Sequence, residues 1–274
     1  MSKKRNLVRI LTYVLLIFFS VIMLGPFIWM LLTSLKTTEE IYSGAIWPTA
    51  FRLDNFITAF TKIPYMRYML NTLFIAVGAV IGNCIASSLV AYSMSKIQWA
   101  GRKFLFPVII GMMLIPYQVT MIPVYMIWSK LGLTGTFLPL ILPAFFGTPY
   151  YIFLLRQFFM TIPNALIEAA TIDGAGKMRI FTTVMLPLCK PAITTVAIFT
   201  FLANWSDFMG PLIYLNDEKN YTLSIGLQAF LQQHYVEWGA LMAASVVFIV
   251  PVVILFFFAQ KYFVEGITVT GIKG

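Results

Sequence analysis

Glu168, Asp173, Lys177, Arg179 and Lys190 all fall between Ile162 and Pro191, in a chain of 274 residues of which only 11% are charged. Two carboxylates and three cations so grouped can pair with an oppositely charged surface, but no Ser/His/Asp set, histidine cluster or paired-carboxylate constellation accompanies them. The one histidine, His234, has no second His or Cys near it, so no metal site is expected. Cys84 lies in an apolar run and Cys189 beside Lys190, which argues against a disulfide between them. No Gly-x-x-x-x-Gly-Lys-Ser/Thr stretch occurs, so the chain has neither the backbone nest nor the lysine that would hold ATP phosphates. It is not expected to hydrolyse ATP, to act as an enzyme or to carry a cofactor.

The charged stretch must sit in water, because each charge placed at a bilayer centre costs about 3 kcal/mol. Its periodicity predicts a short amphipathic helix with Ala165, Leu166, Ala169 and Ile172 on one face and Asn164, Glu168 and Thr171 on the other, Asn164 serving as N-cap. Gly174-Ala175-Gly176 supplies a residue able to take positive φ, so a turn follows. A second short helix, lined by Ile180, Phe181 and Val184, is expected to end at Pro187 and Pro191.

What surrounds this stretch is a membrane protein. Hydrophobic residues make up 60% of the chain and its mean hydropathy is +0.86, outside the range of a soluble domain of this size. The net charge of +9 is therefore read as topology and not as affinity for nucleic acid. The apolar runs 10–32, 68–93, 104–128, 136–155, 188–211 and 238–260 are each long enough to cross a hydrocarbon core about 30 Å thick. Six helices place both termini on one side. The segments 1–9, 94–103, 156–187 and 261–274, with Lys190, then hold thirteen of the nineteen Lys and Arg residues, so that side is cytoplasmic by the positive-inside rule and the charged stretch lies within it.

Polar groups inside the apolar runs are few. Asn83, Tyr117, Gln118, Tyr150, Asn204 and Asp207 are candidates for a translocation pathway, since polar groups at membrane depth face the bundle or a cavity, with helix-to-helix hydrogen bonding the alternative for each. Gly78, Gly82 and Ala86 form a small-residue stripe that suits either a subunit interface or packing within the chain. Prolines 107, 116, 123, 139, 143, 149 and 251 are expected to kink helices. The outer segments 33–67 and 212–237 are long for bare connections, which favours ordered contact with a partner.

Glu168-Ala169-Ala170, Asp173-Gly174-Ala175, Leu186-Pro187-Leu188 and Pro191 together resemble the coupling loop of binding-protein-dependent ABC importer permeases. The resemblance covers nearly the whole chain and is nearest to the sugar-importing, maltose-type permeases, with Ser34-Leu35-Lys36, Asn55-Phe56, Asn71-Thr72 and the closing 266–274 also similar. It implies an all-α integral membrane fold of six transmembrane helices, a five-helix permease core plus an N-terminal helix. The expected division is 1–67 for the first helix and outer loop, 68–264 for the permease domain with its coupling loop at 162–187, and 265–274 for a cytoplasmic tail.

The same resemblance implies a site in the cytoplasmic (inner) membrane of a prokaryote, a second non-identical permease, two cytoplasmic ATPase subunits and an extracytoplasmic sugar-binding protein. Glu168, Ala169, Ala170, Asp173, Gly174, Ala175, Leu186 and Pro187 would contact the ATPase, and Gly271, Lys273 and Gly274 would reach between the two ATPase subunits. One departure concerns the fifth span, where such permeases carry Asn directly before the acid and this chain has Ser206, with Asn204 two positions earlier. The competing reading is an ATP-independent secondary carrier or a membrane enzyme. A carrier would need paired buried ionisable groups or inverted repeats, whereas Asp207 stands alone among the apolar runs.

Overall fold

A computed structural model describes residues 2–231 and 235–271, with side chains placed at 6, 9–231 and 235–260. His234, Lys273 and Gly274 lie outside the described residues. The order is α1 (Ser2–Ser34), α2 (Thr38–Tyr42), α3 (Asp54–Lys62), α4 (Tyr65–Lys96), α5 (Arg102–Met112), α6 (Tyr117–Lys130), α7 (Leu138–Ile141), α8 (Pro149–Thr161), α9 (Asn164–Ile172), α10 (Lys177–Ile180), α11 (Leu186–Leu188), α12 (Lys190–Trp205), α13 (Met209–Tyr214), α14 (Leu223–Gly226) and α15 (Trp238–Gly271). Four described helices are long and apolar enough to cross a membrane, or up to six if each of two bent pairs forms one span. The chain divides into two compact units, 1–66 with 226–251 and 67–225 with 252–274.

In the first unit α1 exposes Ile10, Leu16, Met23 and Trp29 around its circumference, as a helix surrounded by lipid must. The segment after it is internally ordered. Lys36, 4% exposed, donates through Nζ to Ala45 O at 2.6 Å. Asn55 Nδ2 donates to Ser34 O and Lys36 O at 3.0 and 2.8 Å, satisfying carbonyls at the end of α1. A Cβ on Gly239 of α15 would lie 2.4 Å from Asn55 Oδ1, so only glycine admits this clamp. Lys62 Nζ pairs with Glu237 Oε1 at 2.7 Å.

Glu40 closes the loop between α2 and residue 49. Thr37 and Glu40 form a capping box, and Glu40 Oε1 also accepts from Thr49 N–H at 2.7 Å and from the Thr49 hydroxyl. These bonds favour the carboxylate, the Thr49 hydroxyl foremost, and pull Glu40 from an ordinary 4.5 down to about 2. Because the folded value is depressed, the stabilisation is present above pH 4.5 and is lost as pH falls from there towards about 2. Limited proteolysis between residues 37 and 50 is expected to accelerate across that window, and Glu40→Gln should show the acid-state rate already at pH 7. A rate independent of pH and of the substitution would count against the closure.

The second unit is organised around α4. Ala91 and Tyr92 on α4 pack with Tyr151, Leu155 and Phe159 of α8, with Ile180, Phe181 and Met185, and with Ala192 and Val196 of α12 to form the core. The small-residue stripe serves packing within the chain. The Cβ position of Gly78 lies 3.0 Å from the Ile141 side chain, and that of Gly82 lies 2.7 Å from the Phe145 ring and 3.0 Å from the Ala144 carbonyl carbon. Asn71 Nδ2 donates to Lys219 O and Tyr221 O, both at 2.9 Å, and Thr72 Oγ1 accepts from Leu223 N–H at 2.9 Å. The outer segment that follows α13 is thereby tied to α4.

Several expected spans are broken. The run 104–128 is two helices, α5 and α6, bent by 101° across Met113–Pro116. Pro116 cannot supply the amide that would continue α5, so the chain turns there. The run 136–155 becomes α7, a 3₁₀ turn over Leu142–Phe146, Gly147 at φ 81° and α8, with Pro139, Pro143 and Pro149 each in a first turn. In the run 188–211, α12 ends at Trp205 and α13 begins at Met209. Pro107, Pro123 and Pro251 stay inside helices. At the other end of the chain α15 keeps helical backbone to Gly271, past the start of the expected tail.

Candidate functional site

The charged stretch forms two short helical pieces on the core of the second unit. α9 ends in a Schellman motif: Gly174 sits at φ 80°, its N–H donates to Thr171 O at 3.0 Å, and Ala175 N–H donates to Ala170 O at 2.9 Å. Ala170 and Ala175, which flank the glycine in this motif, both pack on the core with Ile167. The Asp-Gly-Ala sequence is therefore a helix stop whose two alanines seat α9. No atom outside the turn comes within 4 Å of a Cβ built on Gly174, so its requirement is backbone conformation and not space.

The rotation of α9 differs from the expected one. Ile167 and Ala170 face the core, while Leu166 is 45% and Ile172 86% exposed, with Ala169, Glu168 and Asp173 also exposed. Apolar residues run almost all round this helix, and the Schellman contact decides which of them is buried. The outer face thus combines one carboxylate with Leu166, Ala169 and Ile172. Among the described residues the Glu168 side chain has neither a hydrogen bond nor an ion pair within the chain.

Asn164 is not the N-cap. Pro163 holds that position without a side-chain bond, and Asn164 Oδ1 instead accepts from Lys96 Nζ at 2.8 Å. Nor does Pro187 end the second piece. A π turn over Phe181–Met185 slips the hydrogen-bond register ahead of Pro187, which has no N–H to give, and helix continues through α11. The stop comes at Cys189, where Lys177–Leu188 and α12 meet at 80°. Leu186 packs on the core and Pro187 is exposed.

The pathway candidates differ in their surroundings. Asn83, 5% exposed, accepts from Thr148 Oγ1 at 2.8 Å, and Ser87 Oγ, one turn on, accepts from Thr148 N–H at 3.2 Å. Together they satisfy the helix break ahead of α8, the helix-to-helix alternative for Asn83. Asn204 is likewise occupied, donating to Thr200 O at 2.8 Å. Tyr117, Gln118 and Tyr150 are exposed. Asp207 accepts from Gly210 N–H at 3.2 Å and lies within electrostatic range of Tyr117. The ring of Tyr214 stacks on that of Tyr125 with centroids 5.9 Å apart.

Residues 83–269 match the family described as the binding-protein-dependent transport system inner membrane component. The chain is 35% identical, over 99% of its own length and 100% of the relative's, to the arabinooligosaccharides transport system permease protein AraQ of Halalkalibacterium halodurans. It is 34% identical to the diacetylchitobiose uptake system permease protein NgcG of Streptomyces coelicolor over 92% of this chain and 84% of that one. It is 32% identical to the trehalose/maltose transport system permease protein MalG of Thermococcus litoralis over 99% of each. In three dimensions it resembles a bacterial ABC transporter involved in the import of the acidic polysaccharide alginate, with a TM-score of 0.83 and 25% identity over 96% of this chain and 99% of that one. The family match over more than half of the chain and the full-length relatives together show that the chain belongs to the family of binding-protein-dependent transport system inner membrane components.

Proposed function

We propose that the chain is the membrane-spanning subunit of an importer for a sugar, most simply an oligosaccharide, and that residues 162–187 receive the force of ATP hydrolysis from a separate ATPase. The observation that carries this reading is the outer face of α9. An unpaired Glu168 is surrounded by exposed Leu166, Ala169 and Ile172 on a helix whose opposite side is seated in the core. Apolar side chains around one charge suit a docking surface better than a solvated loop. Force applied to α9 reaches α12 through shared packing: Ile167, Ala170 and Ala175 rest on the cluster that includes Ala192 and Val196.

The working assembly adds a second, non-identical permease, two ATPase subunits and an extracytoplasmic sugar-binding protein. Relatives named for arabinooligosaccharides, diacetylchitobiose and trehalose/maltose support a sugar as cargo. Tyr117, Gln118, Tyr150 and Asp207 line part of the pathway, since phenolic rings offer both a face and a hydroxyl to a sugar. The end of α15 at Gly271, followed by Lys273 and Gly274, contacts the ATPase pair.

Reconstitution in proteoliposomes with the cognate subunits tests this reading. Uptake of a labelled oligosaccharide should require internal ATP and the external binding protein together. Uptake with neither would identify a self-contained carrier and overturn it.

A further inference from the structure

We infer that the last turn of α4 is a latch that sets the position of the 162–187 loop, and that Lys96 is its principal positioning residue. Lys96 Nζ donates to Ile162 O at 2.6 Å and to Asn164 Oδ1 at 2.8 Å. Ile162 is the C-cap of α8 and Asn164 the first residue of α9, so one ammonium group bridges the end of one helix and the start of the next across Pro163. A cation suits this place twice over, as a donor to a helix-terminal carbonyl and as a charge at the negative end of α8.

One turn earlier on the same face of α4, the Tyr92 hydroxyl donates to Lys177 O at 3.2 Å, and its ring packs against Phe181 and Phe159 with centroids 5.2 and 6.4 Å away. α4 therefore holds the loop where it enters α9 and where it leaves through α10. The latch is itself braced. Arg156 Nε donates to Met94 O at 3.2 Å while its guanidinium lies 3.9 Å from the Phe106 ring centroid, and Arg102 Nη1 donates to Ile97 O at 3.0 Å.

The same helix also carries Asn83 and Ser87, which hold the break ahead of α8. α8 is thus fastened to α4 at both ends, by Thr148 at the first and Ile162 at the last. A displacement of α9 is delivered to the break through this pair as one rigid piece instead of being absorbed by the hinge at Pro163. This role rests on the coupling function proposed above.

The test uses the assembled importer with nitroxide labels on introduced cysteines at two exposed positions, Thr171→Cys and Gln98→Cys, with uptake per ATP hydrolysed measured in parallel, unlabelled preparations that keep Thr171 and Gln98. Lys96→Met keeps the aliphatic stem and removes the donors. It is expected to broaden the label–label distance distribution and to lower uptake per ATP by about tenfold, the scale of losing charge-assisted hydrogen bonds. Lys96→Arg should restore both, a rescue that a merely space-filling role would not show. Tyr92→Phe should give a smaller loss in the same direction.

An unchanged distance distribution in Lys96→Met overturns the latch, whatever transport does. A broadened distribution with unchanged uptake per ATP removes Lys96 from coupling. Glu168→Lys then separates the two readings: if it still uncouples transport, the coupling loop stands and only the latch falls.

Discussion

Glu168→Lys is expected to leave the protein inserted in the membrane and to weaken ATPase binding by about a hundredfold or more. That scale follows from removing one partner of a partly buried ion pair, about 3–5 kcal/mol, against about 0–1 kcal/mol for an exposed pair. The position supports the larger figure, because Leu166, Ala169 and Ile172 flank the carboxylate and would exclude water on docking.

Gly174→Val should have an equally severe effect by another route. At φ 80° an L-residue is disfavoured by about 1–2 kcal/mol, and a β-branched one by more. Losing the Schellman turn would turn α9 off its seat at Ala170 and Ala175. Gly174→Asn is the control, since asparagine tolerates the left-handed conformation, and it should retain most of the function. ATPase binding, ATP turnover and uptake are measured together in each variant. Wild-type values of all three in both Glu168→Lys and Gly174→Val would show that the loop couples nothing.

A second large effect is expected inside the membrane. Gly82→Leu must displace both the Phe145 ring and the backbone at Ala144, which approach the Cβ position to 2.7 and 3.0 Å. Overpacking of this kind costs about 1–3 kcal/mol. The shift would also pull Thr148 from Asn83 and Ser87, stranding buried polar groups at about 1–3 kcal/mol each. Gly78→Ala meets only the Ile141 side chain, at 3.0–3.4 Å, and should cost much less. Thermal unfolding of the detergent-solubilised assembly should rank wild type above Gly78→Ala and Gly78→Ala well above Gly82→Leu. Equal midpoints would mean that the 142–146 turn does not rest on α4.

The amino-acid sequence by itself determined that this is a helical membrane protein, where its apolar runs lie and which segment must meet water, because insertion is a sum over side chains that needs no knowledge of neighbours. It also determined the family, through a spacing of Glu-Ala-Ala, Asp-Gly-Ala and Leu-Pro-Leu that is legible in one dimension. Gly174 belongs here too: a positive φ at the end of a short helix is a local demand that glycine announces. The tertiary structure decided which face of α9 is buried, since Leu166, Ile167, Ala169 and Ala170 are all apolar enough to serve and only the seat under Ala170 and Ala175 chooses among them.

It decided likewise that Asn83 accepts from Thr148 at the break ahead of α8, and that the glycine stripe receives residues 141–145 of its own chain. The bends at Pro116 and Cys189 are of the same kind. A proline permits a turn, but its angle is set by what packs on either side. Lys96 was visible in the sequence only as the charge that ends an apolar run. That it grips Ile162 and Asn164 depends on two partners 66 and 68 residues away, a distance along the chain over which no local pattern carries information.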